Sequence, residues 1–165
     1  MSLCQPYCRR LAADLNALKP EFDKAGAKLT IVSGQDKGAQ EFIDAVWPNG
    51  NIYVDEEEVF KKAIHGGEGV KYKNWWLLRP SVLKNIISYA KNFGTSTADT
   101  MDAKTQLLGG TFIVRDNKVI YAHKETTSFD NGSAKEMLAA VLGKSASEID
   151  VATTPSQVEE VCNRK

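Results

Sequence analysis

The chain has 165 residues, with 21 basic and 21 acidic side chains and a formal net charge of zero. That length suits one domain with its own apolar core. The charge balance offers no basic surface for nucleic acid, and no apolar run reaches the length of a membrane span. Neither partner is therefore expected.

The opening Met1-Ser2-Leu3-Cys4-Gln5-Pro6 has no basic stretch followed by an apolar run, so no export signal is expected. With three cysteines, this points to a reducing, cytoplasmic setting, where paired cysteines are catalytic or regulatory rather than structural. Leu11, Leu15, Leu18 and Phe22 fall at steps of four, three and four, which is one face of a first helix. Gly26 ends it. Lys28 to Val32 is short, apolar and β-branched, a buried strand. Ser33 to Asp36 turns. A second helix follows from about Lys37 to Val46, with Ala39, Phe42, Ile43 and Val46 inward. Asn51 to Val54 is a strand. Asp55 caps the next helix, with Glu56, Glu57 and Glu58 in its first turn, where the dipole favours them.

His65 to Arg79 is loop-like, with Gly66, Gly67, Gly69, Lys71, Lys73 and the pair Trp75-Trp76. Pro80 or Ser81 opens a helix to Phe93, with Leu83, Ile86, Ile87 and Ala90 on one face, and Gly94 ends it. Thr95 to Lys104 is polar and expected to be mobile. Gly109-Gly110 precedes a hairpin: Thr111 to Arg115, a turn at Asp116-Asn117-Lys118, then Val119 to His123. Gly132 and Ser133 lead into a last helix through Met137, Leu138, Val141 and Leu142, ended by Gly143. Residues 1–143 form the expected domain and 144–165 a polar C-terminal tail, with a short helix around Ser156 to Cys162. The alternation of helix and strand, closed by a hairpin and a helix, is the order of the thioredoxin-like α/β fold: a central mixed sheet flanked by helices.

The chemistry concentrates in Cys4-Gln5-Pro6-Tyr7-Cys8-Arg9-Arg10. The cysteines stand at or before the first helix N-terminus. Its unpartnered N–H groups and positive dipole favour a thiolate, which lowers a thiol's pKa. Arg9 and Arg10 add positive charge. Residues four apart on a helix have Cβ atoms about 5–6 Å apart, and a disulfide needs about 3.8 Å. A Cys4–Cys8 bridge therefore requires Cys4 to lie in the loop before the helix. Pro6 supports that placement.

These residues resemble a known family. Cys8-Arg9, Ala13-Asp14-Leu15, Leu18-Lys19-Pro20, Ile52-Tyr53-Val54-Asp55, Leu108-Gly109-Gly110-Thr111-Phe112, His123-Lys124-Glu125 and Asp130 are similar to motifs of the peroxiredoxin-like antioxidant proteins of the AhpC/TSA type. The likeness runs from about Cys4 to Leu142. It implies a thiol-dependent reductase or peroxidase of a peroxide-like substrate, recycled by a dithiol donor such as a thioredoxin-type protein, with no cofactor. Some members of this group reduce a prostaglandin endoperoxide. The resemblance makes Cys4 the attacking thiolate and Cys8 the resolving thiol, supported by Pro6, Arg9, Gly110, Thr111 and His123. The chain departs from the family in two ways. Its spacing is C-x-x-x-C where the family has C-x-x-C, which leaves open which cysteine attacks. The strand that precedes the first cysteine in the family is expected to be absent, leaving a gap between the strand at Lys28–Val32 and the one at Thr111–Arg115.

Other candidates carry less. A zinc site from Cys4, Cys8 and a histidine lacks a second ligand pair at zinc-finger spacing, so no metal is expected. Gly66-Gly67-Glu68-Gly69 is not a phosphate loop, because no Gly-Lys-Ser/Thr follows. Cys162 reads as a tail thiol. His65 and His123 could assist proton transfer. The alternative to an enzyme is a non-catalytic thioredoxin-fold binding or regulatory module.

Overall fold

The computed structural model describes residues 3, 6–48, 50–71, 107–126 and 130–150, with residues 80, 84, 87, 88, 91 and 92. The first helix is two helices, α1 at Pro6–Ala17 and α2 at Lys19–Lys24. Pro20 causes the break. It has no N–H to donate to the carbonyl of Asn16, so the helix restarts at Leu18. The apolar face runs on regardless: Leu11, Leu15, Leu18 and Phe22 are all buried.

Strand β1 is Thr30–Ser33 and helix α3 is Ala39–Val46. Phe42 and Val46 are buried on α3, with Trp47 just beyond its end. Strand β2 is Asn51–Val54, and it pairs with β1 in parallel, Ile31 opposite Ile52. Helix α4, Val59–Ile64, starts later than its acid run suggests. Its N-cap position is Glu58, not the expected Asp55, whose carboxylate accepts the Phe60 N–H at 2.8 Å from before the helix. Glu56 and Glu57 turn outside the helix. Glu58 takes a left-handed φ of 56° and is buried against Lys61, whose Nζ donates to it at 2.8 Å. This tertiary pairing outweighs the local preference of acids for a helical first turn.

Pro80, Lys84, Ile87, Ser88, Lys91 and Asn92 are helical, as the pattern over 80–93 predicts. Ile87 is exposed rather than inward. Leu83, Ile86, Ala90, Lys73, Trp75, Trp76, the segment 95–104 and the tail helix at 156–162 lie outside the described residues.

Strands β3, Gly110–Arg115, and β4, Lys118–Lys124, form the expected hairpin. Asp116 and Asn117 both adopt positive φ, the conformation that a two-residue hairpin turn requires and these residue types tolerate. Helix α5, Ala134–Leu142, ends where Gly143 turns left-handed with φ 66°. Met137, Leu138 and Val141 of α5 are buried, while Leu142 is exposed. Residues 144–150 stay on the body of the fold: a short 3-10 turn at Ala146–Glu148 brings Ile149 into the core.

The described strands fall into two pairs, β1–β2 parallel and β3–β4 antiparallel, the mixed strand directions expected of the thioredoxin-like α/β fold. No strand joining β1 to β3 is present among the described residues. The helices bridge the two pairs. Helix α1 packs on α3 and α5, and α5 packs on β3 and β4. One core runs through all of them, with Ile31, Phe42, Trp47, Met137 and Leu138 at its centre and Ile52, Ile113 and Tyr121 against it.

Candidate functional site

Helix α1 starts at Pro6, whose fixed φ suits a first helical position. Cys8 thus falls in the first turn of α1, where N–H groups have no intrahelical acceptor. It also lies on the same stripe as Leu11, Ala12 and Leu15, and so it is buried, at 3% exposure. The sulfur is a thiol, not part of a disulfide. Two influences meet there: the helix terminus favours the thiolate and burial opposes it. Cys4 and Cys162 lie outside the described residues.

Arg9 is buried more deeply still, at 1%. Its Nη1 is 3.0 Å from Glu41 Oε1 and its Nη2 donates to the Glu41 carbonyl at 3.4 Å. The guanidinium carbon sits 5.9 Å from the centre of the Phe42 ring, within cation–π range. Nε has no acceptor. Because Arg9 is near the start of α1 and Glu41 near the start of α3, the pair ties two helix N-termini together. The turn before α3 is fixed to β1: Ser33 Oγ donates to the Gln35 carbonyl at 2.7 Å, and the Ala39 N–H donates to the Asp36 carbonyl at 2.8 Å. Cys8 is therefore held near the carboxyl end of the parallel strand pair. The Arg9–Glu41 contact spans 32 positions in sequence, and the only local hint of it is an acid in the first turn of α3.

The remaining expected residues gather on the hairpin. Thr111 stands opposite His123 in the ladder. A Cβ on Gly110 would come within 2.5 Å of the His123 carbonyl oxygen, so the close approach of the strands requires glycine there. His123 Nε2 lies 2.7 Å from Asp130 Oδ1 and 2.9 Å from the Asp130 carbonyl. Both are acceptors, so Nε2 carries the proton. Thr126 donates to Asp130 Oδ2 from its hydroxyl at 2.7 Å and its backbone at 3.1 Å. Glu125 locks the strand entry, accepting the Gly109 N–H at 2.7 Å. Burial is the largest single influence on Asp130 and pushes its carboxyl up. The Thr126 hydrogen bonds and the His123 charge together outweigh it and hold the group below the usual carboxylate range. Sequence reasoning found His123 but not the Asp130–Thr126 clamp on it, because the seven-residue separation of His123 and Asp130 carries no periodic signal.

Among the described residues, no group of three or more potential ligands could hold a metal ion, and no helix is long and apolar enough to cross a membrane. The sequence profile of the AhpC/TSA antioxidant enzymes matches residues 14–127. The chain belongs to that family. The AhpC/TSA match begins downstream of Cys8. Prostamide/prostaglandin F synthase from Bos taurus is 29% identical over 163 residues, covering 95% of this chain and 77% of that protein. The Homo sapiens protein of the same name is 28% identical over 159 residues, 93% of this chain and 77% of its own length. Peroxiredoxin-like 2A from Mus musculus is 32% identical over 137 residues, 81% of this chain but only 59% of that relative. No solved structure matches. The family is peroxiredoxin-like and thioredoxin-fold, and its membership supports a redox-related function.

Proposed function

We propose that the protein is a thiol-dependent oxidoreductase that reduces a peroxide-like substrate through the pair Cys4 and Cys8. The observation that carries this is Cys8 in the first turn of α1, at the head of a chain whose residues 14–127 match the AhpC/TSA antioxidant enzymes. A cysteine thiolate attacks one peroxide oxygen. The O–O bond breaks, the other oxygen leaves as alcohol or water after taking a proton, and the cysteine becomes a sulfenic acid. The second thiolate attacks that sulfur, the S–O bond breaks, and water leaves as the disulfide forms. A dithiol donor of the thioredoxin type then returns both thiols by exchange. The burial of Cys8 suits the second attack, away from solvent, and leaves the first to Cys4. Names of the relatives that include prostaglandin F synthase favour a lipid-derived peroxide as the substrate class.

Cys8→Ser is expected to abolish dithiol-dependent peroxide turnover, followed as donor consumption. Undiminished turnover in that variant rejects the proposal. A second reading, a thioredoxin-fold binding or regulatory module, is favoured by the 3% exposure of Cys8 and by a family match that starts at residue 14. The ionisation midpoint of the thiols separates the two. A value near the free-cysteine figure of about 8.5 supports the module, and a depressed one with peroxide-dependent loss of two thiols supports the enzyme.

A further inference from the structure

Two parts of the surface combine exposed apolar side chains with charge of mainly one sign. The first is the outer face of the hairpin. Ile113 and Tyr121 turn inward against the core. The ladder sets Ile113 opposite Tyr121 but Val114 opposite Val119, so Ile120 is the extra residue of a β-bulge. A bulge re-aims the side chains beside it. Val119 and Ile120 both reach the surface here, with Phe112 and Val114, and all four are exposed. Lys118 and Lys124, at the two ends of β4, are exposed as well. Residues 110–124 carry Arg115, Lys118 and Lys124 against Asp116.

The second part is the turn from β2 into α4. Tyr53, Val59 and Phe60 are each more than half exposed there. The Asp55 carboxylate accepts the Phe60 N–H at 2.8 Å, which holds the start of α4 to the end of β2. Residues 53–60 include four acids and no basic residue. Glu58 is engaged by Lys61, whereas Glu56 and Glu57 are exposed. Lys62 donates to the Glu57 backbone carbonyl at 2.6 Å rather than to its carboxylate.

We infer that these two patches are the halves of one contact between copies of this chain, the acidic turn of one copy seated on the basic hairpin face of the next. Exposed apolar clusters rimmed by polar side chains mark association sites. Opposite charge selects which surfaces meet. Hairpin against hairpin would set Lys118 and Lys124 against their own kind, and turn against turn would do the same to Glu56 and Glu57. The contact therefore joins unlike surfaces. A heterologous contact of this sort leaves one patch of each kind free at the ends of a pair, so growth continues until a ring closes. The inference goes beyond the proposed chemistry and does not depend on it.

The test follows the full chain by sedimentation velocity in reducing buffer, so that no disulfide joins copies. The weight-average mass should rise with protein concentration. The rise should shrink between about 0.1 M and about 1 M salt, where the screening length falls from about 10 Å to about 3 Å. Glu56→Lys with Glu57→Lys, and separately Lys118→Glu with Lys124→Glu, should each weaken self-association at least about tenfold. An equimolar mixture of the two variants should associate again, because each copy then meets an oppositely charged patch on the other. A parent that stays monomeric, a rise indifferent to salt, a variant that associates like the parent, or a mixture that does not recover overturns the inference. If circular dichroism shows that a charge variant does not fold, Val119→Thr carries the test. It keeps the shape and the charge but puts a hydroxyl into the hairpin face, and should weaken association about threefold. Parent-like association in that variant overturns the inference equally.

Discussion

At the head of α1 a full positive charge lies out of water against one carboxylate and one aromatic ring, with a donor to spare. At the end of β4 the His123–Asp130 pair sits near the surface, and every oxygen of the Asp130 side chain has a donor. The first arrangement derives its strength from burial, where screening is weak and partners are few. The second derives its order from several hydrogen bonds that water can replace. A perturbation at the dry end should therefore be costly and tunable, and one at the wet end cheap and local.

The sharpest way to break this contrast is to open the dry end. Phe42 is fully buried and lies under the Arg9 guanidinium. Phe42→Ala is expected to destabilise by about 3–5 kcal/mol in denaturant unfolding. A loss under about 1 kcal/mol would mean that the junction of α1 and α3 collapses to refill the space. A smaller effect comes from Asp14, one turn beyond Arg10. Burial raises its carboxyl above the ordinary value, and the charge and hydrogen bond of Arg10 only partly offset this. A raised carboxyl penalises the fold once it ionises. The penalty is absent in acid and grows as pH rises through the folded-state pKa. Asp14→Asn should then stabilise at neutral pH by less than about 1 kcal/mol, with no gain in acid, as thermal unfolding at both pH values would reveal.

The smallest effect belongs to the wet end. Asp130 is held below its ordinary range, so it contributes stability above that range and loses it as pH falls through the folded-state pKa. Asp130→Asn should destabilise at neutral pH by less than about 1 kcal/mol and match the parent in acid. A loss as large as that of Phe42→Ala would erase the distinction between the two ends.

Features set by neighbours in sequence were legible. The hairpin turn at Asp116-Asn117, the stop at Gly143 and the strand Asn51–Val54 rest on local backbone preference, and they stand where the residues predict. Features set across the fold were not. The apolar spacing from Leu11 to Phe22 hid the break that Pro20 imposes, because the same residues are buried whether or not the helix is continuous. The acids Glu56 to Glu58 suit a helix start in isolation, but Glu58 is drawn into a buried pair with Lys61. At the site, the sequence placed Cys8 at the opening turn of α1. It could not show that the same periodicity buries the sulfur, or that Glu41 reaches Arg9 from another helix.

Among the described residues the strands fall into two separate pairs, which has a consequence for how the molecule comes apart. A lone pair of strands is marginal in water, so neither sheet can protect its own amides for long. Their shelter is borrowed from the helical layer, above all from α5, which presses on the hairpin and is itself flanked by the Ile149 clasp. Loosening that clasp, as Ile149→Ala would, should let the β3–β4 amides exchange with solvent ahead of those of β1 and β2, so that the molecule opens like a book from the hairpin side.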